Sequence, residues 1–242
     1  MQNRYTGDIG DFSKLGLLRV LQASDLSIGL NWYLTPDEKH NDDGKHVKYL
    51  EKDEYRSCDE DLWLELKDIV DSDHRAIEHL ENENTLKATY FSECLNFSGM
   101  RKSERLEFRS AWHKRALVSL SDLDVITVDP DNGLIVPSAV GMPKENKYVM
   151  VDELADYYAR GSTVIYYQHK ARKRDPHYIN QHNQLINSGK FPGASGLALK
   201  FKKTSQRYYF FIIQPRHKET IETAVNGMME TPWKKHFCLL DV

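Results

Sequence analysis

The sequence has few cysteines and no long hydrophobic run. Cys58, Cys94 and Cys238 lie far apart and form no CxxC pair, which argues against a disulfide framework or a zinc site and is typical of a reducing compartment. The longest clear apolar run, residues 208–213, is much shorter than the roughly 18 residues that a membrane span needs. The opening residues MQNRYTGDIGDF lack the charged and apolar regions of a secretory signal. We therefore expect a cytoplasmic protein with no membrane partner.

The composition is that of a globular chain. Hydrophobic residues make up 40% and charged residues 29% of the 242 residues, which argues against disorder. The length predicts a single α/β domain over 1–242, with a helical insertion at about 60–85. The net charge of −3 suggests no polyanionic partner by itself. Its distribution is uneven, however, because residues 161–242 hold 13 Lys and Arg against 5 Asp and Glu, whereas 1–160 hold 20 against 31.

Two basic segments account for much of this asymmetry. HKARKR spans 169–174 and KFKKTSQR spans 200–207. Basic patches of this kind can hold phosphates, so the two segments predict one surface that binds a nucleic acid or a nucleotide. A solvated basic face is the alternative interpretation. The candidate substrate-binding residues are Arg172, Lys173, Arg174, Lys202 and Lys203 in these segments, together with Asn132.

Apolar patterns predict alternating helices and strands. Helices are expected at 11–22, 59–72, 73–83, 103–120, 149–161, 175–189 and 217–229, and strands at 27–34, 86–95, 124–129, 162–168, 196–201 and 207–214. Asp11 and Ser103 are the predicted N-caps of the first and fourth helices. The alternation predicts a three-layer α/β fold with a mainly parallel sheet, in which the strands containing Trp32, 125–128 and 164–167 are central. The last two strands, close in sequence, predict an antiparallel addition at one edge.

Polar residues follow several of these strands. Ligands in such sheets bind beyond the carboxyl ends of the strands, so the polar sets are expected to share one cleft. The first set, after residue 34, contains Asp37, Glu38, His40, Asp42, Asp43, Lys45 and His46. The second is Asp129, Asp131 and Asn132 in the segment VDPDNG, and the third is Gln168, His169, Lys170 and Arg172. Asp8 and Asp11, in YTGDIGDF, are a fourth candidate set.

The inventory of these sets suggests metal-assisted chemistry on phosphates. Clustered carboxylates suit Mg²⁺ or Mn²⁺, which prefer oxygen ligands, and a metal can activate water and clamp a phosphodiester. The predicted metal ligands are Asp42, Asp43, Asp129 and Asp131, and the predicted catalytic residues are Asp129, Asp131, His169 and Lys170. The alternatives are a surface turn at NDDG, a simple turn at residues 131–133, a turn with a helix cap at Asp8 and Asp11, and a solvated basic run that starts at His169 and Lys170.

The order of the segments GDIGDFSKLGLLRVL, GLNWYLTPD and VITVDPDNGL resembles the Rossmann-like methyltransferase fold, and in particular the bacterial rRNA adenine-N6 methyltransferases. This resemblance implies S-adenosylmethionine as cofactor and a nucleic-acid substrate. The sequence departs from that family in two places, because the loop after the first strand has one glycine and DPDN replaces the Asp-Pro-Pro-Tyr-type motif. The motifs GDIGDF, NDDGKH and DPDNGL also resemble, in this order, those of a bacterial family. This second resemblance implies no particular activity.

Three hypotheses about function follow. The first is a metal-dependent phosphodiesterase or nuclease on a Rossmann-like scaffold. The second is a divergent S-adenosylmethionine-dependent nucleic-acid methyltransferase. The third is a non-catalytic nucleotide-binding or sensor module that uses the same cleft.

Overall fold

A computed structural model describes residues 1–38, 44, 46–72, 75–82, 84–203 and 206–242. Its α-helices are α1 (Ile9–Gln22), α2 (Asp53–Arg56), α3 (Glu60–Asp71), α4 (Lys102–Ser119), α5 (Val151–Ala159), α6 (Asp175–Ile186) and α7 (Lys218–Met229). Its strands are β1 (Ile28–Asn31), β2 (Thr89–Phe91), β3 (Val125–Val128), β4 (Gly133–Leu134), β5 (Tyr148–Val149), β6 (Thr163–His169), β7 (Ser195–Phe201), β8 (Arg207–Ile213) and β9 (Phe237–Leu240). Short 3-10 turns connect several of these elements.

A seven-stranded sheet in the order β2-β1-β3-β6-β8-β7-β9 forms the middle layer. The first four strands are parallel to one another. β8 lies antiparallel between β6 and β7, and β9 pairs antiparallel with β7 at the edge. β4 and β5 form a separate parallel pair. Because β8 is antiparallel to both β6 and β7, β7 points the same way as the first four strands. The carboxyl ends of β1, β3 and β6 therefore lie at the same side of the sheet.

Helices cover both faces of the sheet, which gives the predicted three layers. The apolar residues of α1, α3 and α7 pack in one core cluster with Ile28 and Leu30. Those of α4, α5 and α6 pack in a second cluster with Ile126 and Val128. All four residues of β1 and of β3 are buried, as expected for central strands covered on both faces.

The Rossmann-like α/β prediction is confirmed, and so is the parallel arrangement of the three central strands. The predicted hairpin is formed by β7 and β8, but it is not the edge, because β9 covers β7. No helix of the described ranges is long and apolar enough to cross a membrane.

Three local predictions were wrong. The N-cap of α1 is Asp8, whose carboxylate accepts from the backbone N–H groups of Gly10 and Asp11, so the helix begins earlier than predicted. The N-cap of α4 is Arg101 rather than Ser103. The predicted helix at 73–83 is reduced, within its described part, to a 3-10 turn at Ile77–His79.

Candidate functional site

A cleft of about 280 Å³ lies where β3 and β6 end and α1 begins. Its described lining comes from the N-terminal segment, the start of α1, the segment after β1, the loop after β3, the residue before β5, the end of β6 and the start of β8. The residues are Met1, Tyr5, Asp8, Gly10, Asp11, Lys14, Glu38, Gly44, His46, Asp129, Pro130, Asp131, Asn132, Lys147, Tyr167, His169 and Arg207. This is the sheet edge at which ligands of open α/β proteins bind.

The cleft brings together residues from all four polar sets of the sequence. The predicted residues that line it are Asp8, Asp11, Glu38, His46, Asp129, Asp131, Asn132 and His169. The described lining does not include Lys170, Arg172, Lys173, Arg174, Lys202 or Lys203, and Asp37 instead accepts a hydrogen bond from the backbone N–H of Arg4. His40, Asp42, Asp43 and Lys45 lie outside the described residues.

Lys14 is the central charged group at the floor of the cleft. It is 3% exposed, and its ammonium donates to Asp11 Oδ1 at 2.8 Å and to Asp129 Oδ2 at 2.6 Å. The ammonium also lies 4.5 Å from the ring centroid of Trp32. Burial alone would lower the pKa of Lys14, but the two carboxylates outweigh it and raise the pKa above its ordinary value. Lys14 therefore carries its charge throughout the working pH range.

Asp131 lies two residues after Asp129, in the loop after β3, and has cationic partners other than Lys14. Its Oδ1 is 2.6 Å from the α-amino group of Met1, and Gln2 donates to its Oδ2 at 2.9 Å. Lys147 is 3.9 Å from Oδ2. Burial raises the pKa of Asp131, but the amino group, Gln2 and Lys147 more than offset this and hold the pKa below its ordinary value. Asp131 is therefore a charged and paired carboxylate.

The first turn of α1 forms another wall of the cleft. Asp8 accepts from the Gly10 N–H at 2.6 Å and caps the helix. Arg207, at the start of β8, is only 5% exposed and approaches this turn so closely that a Cβ at residue 10 would overlap its Nη1. Gly10 is thus the residue that lets a guanidinium group reach the helix start.

Gln168 shapes the loop that carries Asp129 and Asp131. Its side chain accepts from the Leu134 N–H and donates to the Asn132 carbonyl, both at 2.9 Å. Gly133 has a φ of +106°, and a Cβ there would overlap the Gln168 carboxamide. Glycine is needed for both reasons. The predicted turn after β3 is therefore real, and it presents the two aspartates to the cleft.

The described charges of the cleft nearly balance. The carboxylates are Asp8, Asp11, Glu38, Asp129 and Asp131, and the cationic groups are the Met1 amine, Lys14, Lys147 and Arg207. Lys147 also pairs with Glu38 at 2.5 Å. Within the described ranges, no three His, Cys, Asp or Glu side chains are arranged to hold a metal ion. A divalent cation at Asp129 would have to compete with the buried ammonium of Lys14.

Sequence reasoning missed Lys14, Lys147 and Tyr167 as cleft residues. The only local signal for Lys14 was Asp11 three positions earlier, which is the spacing of a helical ion pair. Its second partner, Asp129, is 115 residues away, and Lys147 reaches the cleft through the pairing of β5 with β4. Such contacts follow from the tertiary fold and leave no local pattern.

The close approach of Arg207 to α1 makes a testable prediction about Gly10. In Gly10→Ala, the new methyl group displaces the Arg207 guanidinium, so we expect ligand affinity in the cleft to fall about tenfold or more. Stability is expected to change by less than about 1 kcal/mol, because the gain in helix propensity offsets part of the clash. Denaturant unfolding measures the change in stability. Equilibrium dialysis with the ligands of the three functional hypotheses, Mn²⁺, S-adenosylmethionine and a nucleotide, measures the change in affinity.

Gly227→Ala is the matched control for this variant. Gly227 lies in α7, and a Cβ there has no atom within 4 Å, so this variant should gain stability and keep its ligand affinity. Unchanged affinity in Gly10→Ala would show that the position of Arg207 does not matter for the cleft.

Comparisons with known proteins give little beyond the fold. No protein-family model matches the sequence, and no curated protein matches it. A crystal structure of a Legionella pneumophila protein of the DUF519 family is similar at 9% identity, over 97% of this chain and 96% of the other, with a TM-score of 0.45. The assignment of the fold therefore depends on the sheet order described above.

Proposed function

We propose that the cleft binds S-adenosylmethionine and that the protein methylates an amine of a nucleic-acid base. The observation that carries this proposal is the charge balance of the cleft, in which Lys14 pairs with Asp11 and Asp129 while Asp131 pairs with the Met1 amine. A wall of uncompensated carboxylates would favour a metal ion. A site that offers both signs of charge favours a zwitterionic organic ligand such as this amino-acid-bearing cofactor.

The residues of the cleft suit such a ligand. Lys14 and Arg207 are cations for its carboxylate, and Asp8 and Glu38 are acceptors for its ammonium group or ribose hydroxyls. The cofactor supplies an electrophilic methyl group when it is bound. The cleft volume of about 280 Å³ lies near the lower end of the ~300–1,000 Å³ of small-molecule sites.

Asp129 is the proposed anchor for the amine that is methylated. Lys14 bonds its Oδ2, and among the described residues nothing donates to its Oδ1. Oδ1 and the carbonyl of Pro130, which also lines the cleft, are two acceptors that can hold an N–H₂ group in one orientation. Holding the amine in this way directs its lone pair and raises the rate through orientation. Asp129 would thus be a catalytic residue in contact with the substrate.

We expect Asp129→Asn to lose about 100-fold or more of its methyl-transfer rate while it still binds S-adenosylmethionine. The carboxamide keeps the size of the side chain but replaces one carboxylate oxygen by an NH₂ group, which can only donate, so it holds the amine poorly. Transfer of a labelled methyl group to total RNA and to DNA measures the rate, and calorimetry measures cofactor binding.

The control for this variant is Asp71→Asn, which changes an exposed carboxylate at the end of α3. It should leave both measurements unchanged. If wild-type protein binds no S-adenosylmethionine, or if Asp129→Asn transfers methyl groups at the wild-type rate, the proposal is wrong. A nucleotide bound with no turnover would instead support the sensor hypothesis.

The metal-dependent phosphodiesterase stays a prediction. Asp42 and Asp43, which would complete its ligand set, lie outside the described residues. Binding of Mn²⁺ that is lost in Asp129→Asn, together with hydrolysis of a phosphodiester, would favour that prediction over methyl transfer. The same calorimetric experiments provide this comparison.

A further inference from the structure

We infer that basic residues from three separate segments form one band that binds the phosphate backbone of the nucleic acid. This inference rests on the proposed function, because the base to be methylated enters the adjoining cleft. It adds a third segment to the two that the sequence predicted. The basic band consists of Lys170, Arg172, Lys173, Arg174, Lys202, Lys203, Lys234 and Lys235.

The sheet places the three segments along one edge. On the side of the cleft, the last paired residues of β6, β8, β7 and β9 are in register, and they are His169, Arg207, Phe201 and Phe237. With neighbouring strands about 4.8 Å apart, this row is roughly 14 Å long. The basic band occupies the segments that lie immediately beyond the row.

Backbone hydrogen bonds join these segments directly. The Lys170 N–H donates to the Gln206 carbonyl at 3.1 Å, which links the segment after β6 to the β7–β8 hairpin. The Lys202 N–H donates to the His236 carbonyl at 2.8 Å, and its ammonium donates to the Lys234 carbonyl at 3.0 Å. The third segment is therefore adjacent to the second, although 31 or more residues separate them in the chain.

The band has a large surplus of positive charge. Asp175 pairs with Lys200 at 2.7 Å and lies 3.9 Å from Lys170. In the part of the chain that the structure describes, no carboxylate pairs with the other members of the band, and most of these are exposed to solvent. The exposed members are Arg172, Lys173, Arg174, Lys234 and Lys235. At the end of the band farthest from the cleft, the carbonyl of Glu54 lies 3.1 Å from the His236 ring.

The band is continuous with the cleft. His169 and Arg207 line the cleft and are also the first two residues of the row, so the band starts where the cleft ends. A strand whose base enters the cleft can therefore lay its backbone over the band. At about 3.4 Å per nucleotide, 14 Å is the length of roughly four phosphates. A surface of like charges that is this close to a substrate cleft fits a polyanion.

Oligonucleotide binding at several salt concentrations tests the inference. We expect wild-type protein to bind an oligonucleotide of about 20 nucleotides, and log K to fall with log salt with a slope of about −3, as about four released counterions require. In Lys234→Gln combined with Lys235→Gln, the slope should fall to between −1 and −2, with about tenfold lower affinity. Fluorescence anisotropy with a single strand and with its duplex shows which form is preferred.

The control is Lys114→Gln combined with Lys144→Gln, which removes two exposed lysines outside the band and changes the net charge equally. It should bind as wild type does. Wild-type affinity and slope in the Lys234 and Lys235 variant would overturn the band while leaving the proposed function intact. Binding to anionic vesicles but to no oligonucleotide would also overturn it. If the wild-type protein binds the oligonucleotide but does not bind S-adenosylmethionine, the result would count against the proposed function and not against the band.

Discussion

Lys14→Met is expected to lose about 3–5 kcal/mol of its free energy of unfolding at neutral to alkaline pH, because the change leaves two buried carboxylates without their cation. Methionine fills a similar volume, so the loss of charge and not a cavity causes the effect. Asp11 and Asp129 are 1% and 5% exposed, and each bonds the same ammonium. Urea unfolding at a series of pH values measures the loss.

The pH dependence separates this cause from a packing defect. Burial holds the pKa of Asp11 above its ordinary value even in wild type, where Lys14 partly offsets this effect. Without Lys14 the pKa of Asp11 rises further, so the folded variant binds a proton that the unfolded chain does not bind as the pH falls through this raised value. The difference in stability from wild type should therefore be full at alkaline pH and shrink as the solution becomes acidic.

Two further variants complete this experiment. Lys67→Met removes an exposed partner of Asp71 in α3 and should cost less than about 1 kcal/mol. Adding Asp11→Asn to Lys14→Met removes one of the two uncompensated charges and should recover part of the stability. A loss in Lys14→Met that is the same at all pH values would indicate a packing defect and would contradict the role of the lost charge.

The sequence predicted the elements whose signal is local. β3 is a buried strand because four apolar or β-branched residues occur together, and Pro130 and Gly133 mark the turn that follows it. The parallel sheet followed from the alternation of such strands with amphipathic helices. The carboxyl-edge rule then placed Asp129, Asp131 and His169 in one cleft, as the structure has them.

The partners of these residues could not be predicted in the same way. Asp131 was proposed as a metal ligand, but its nearest described cation is the Met1 amine. That contact depends on how the N-terminal segment crosses the sheet edge. The charge state of a site is a sum over groups that are distant in sequence, so an acidic motif alone does not reveal which cations neutralise it.

The predicted helix at 73–83 shows tertiary contacts overriding a helical pattern. Ile77 and Leu80 are buried, as the pattern required. The Ile77 N–H, however, donates to the Asn3 side chain at 3.1 Å. Arg75 donates to the carbonyls of Thr6 and Gly44. These contacts connect the segment to the N-terminal residues and to the loop before α2, so within 75–82 it makes one turn and does not continue as a helix.

Arg109→Met is expected to cost about 3–5 kcal/mol of stability, a loss as large as that of Lys14→Met but far from the cleft chemistry. The guanidinium of Arg109 in α4 forms two 2.7 Å hydrogen bonds with the Glu153 carboxylate in α5. It also donates to the carbonyls of Glu145 and Tyr148. The variant removes the Arg109 donor from all of these acceptors and leaves the Glu153 carboxylate buried without its cation, and thermal or urea unfolding measures the consequence.

Glu153 gives this prediction its own pH dependence. Burial raises the pKa of Glu153, but Arg109 outweighs burial and holds the pKa below its ordinary value. In wild type the pair therefore stabilises the fold above the ~4.3 of an unfolded glutamate, and its contribution is lost as the pH falls through the lowered value. In Arg109→Met the pKa of Glu153 rises instead, so the deficit should be largest at alkaline pH and smaller in acid.

A double variant and a surface control separate the lost charge pair from lost packing. Glu153 also accepts from the Tyr33 hydroxyl and the Met150 N–H, so Arg109→Met combined with Glu153→Gln keeps these bonds and removes the unpaired charge. It should be more stable than Arg109→Met alone. Arg56→Met, which breaks an exposed pair with Glu60, should change stability by less than about 1 kcal/mol. If the double and single variants are equally stable, removing the unpaired charge has recovered no stability. The loss of stability in Arg109→Met would then come from the carbonyls of Glu145 and Tyr148 and from packing.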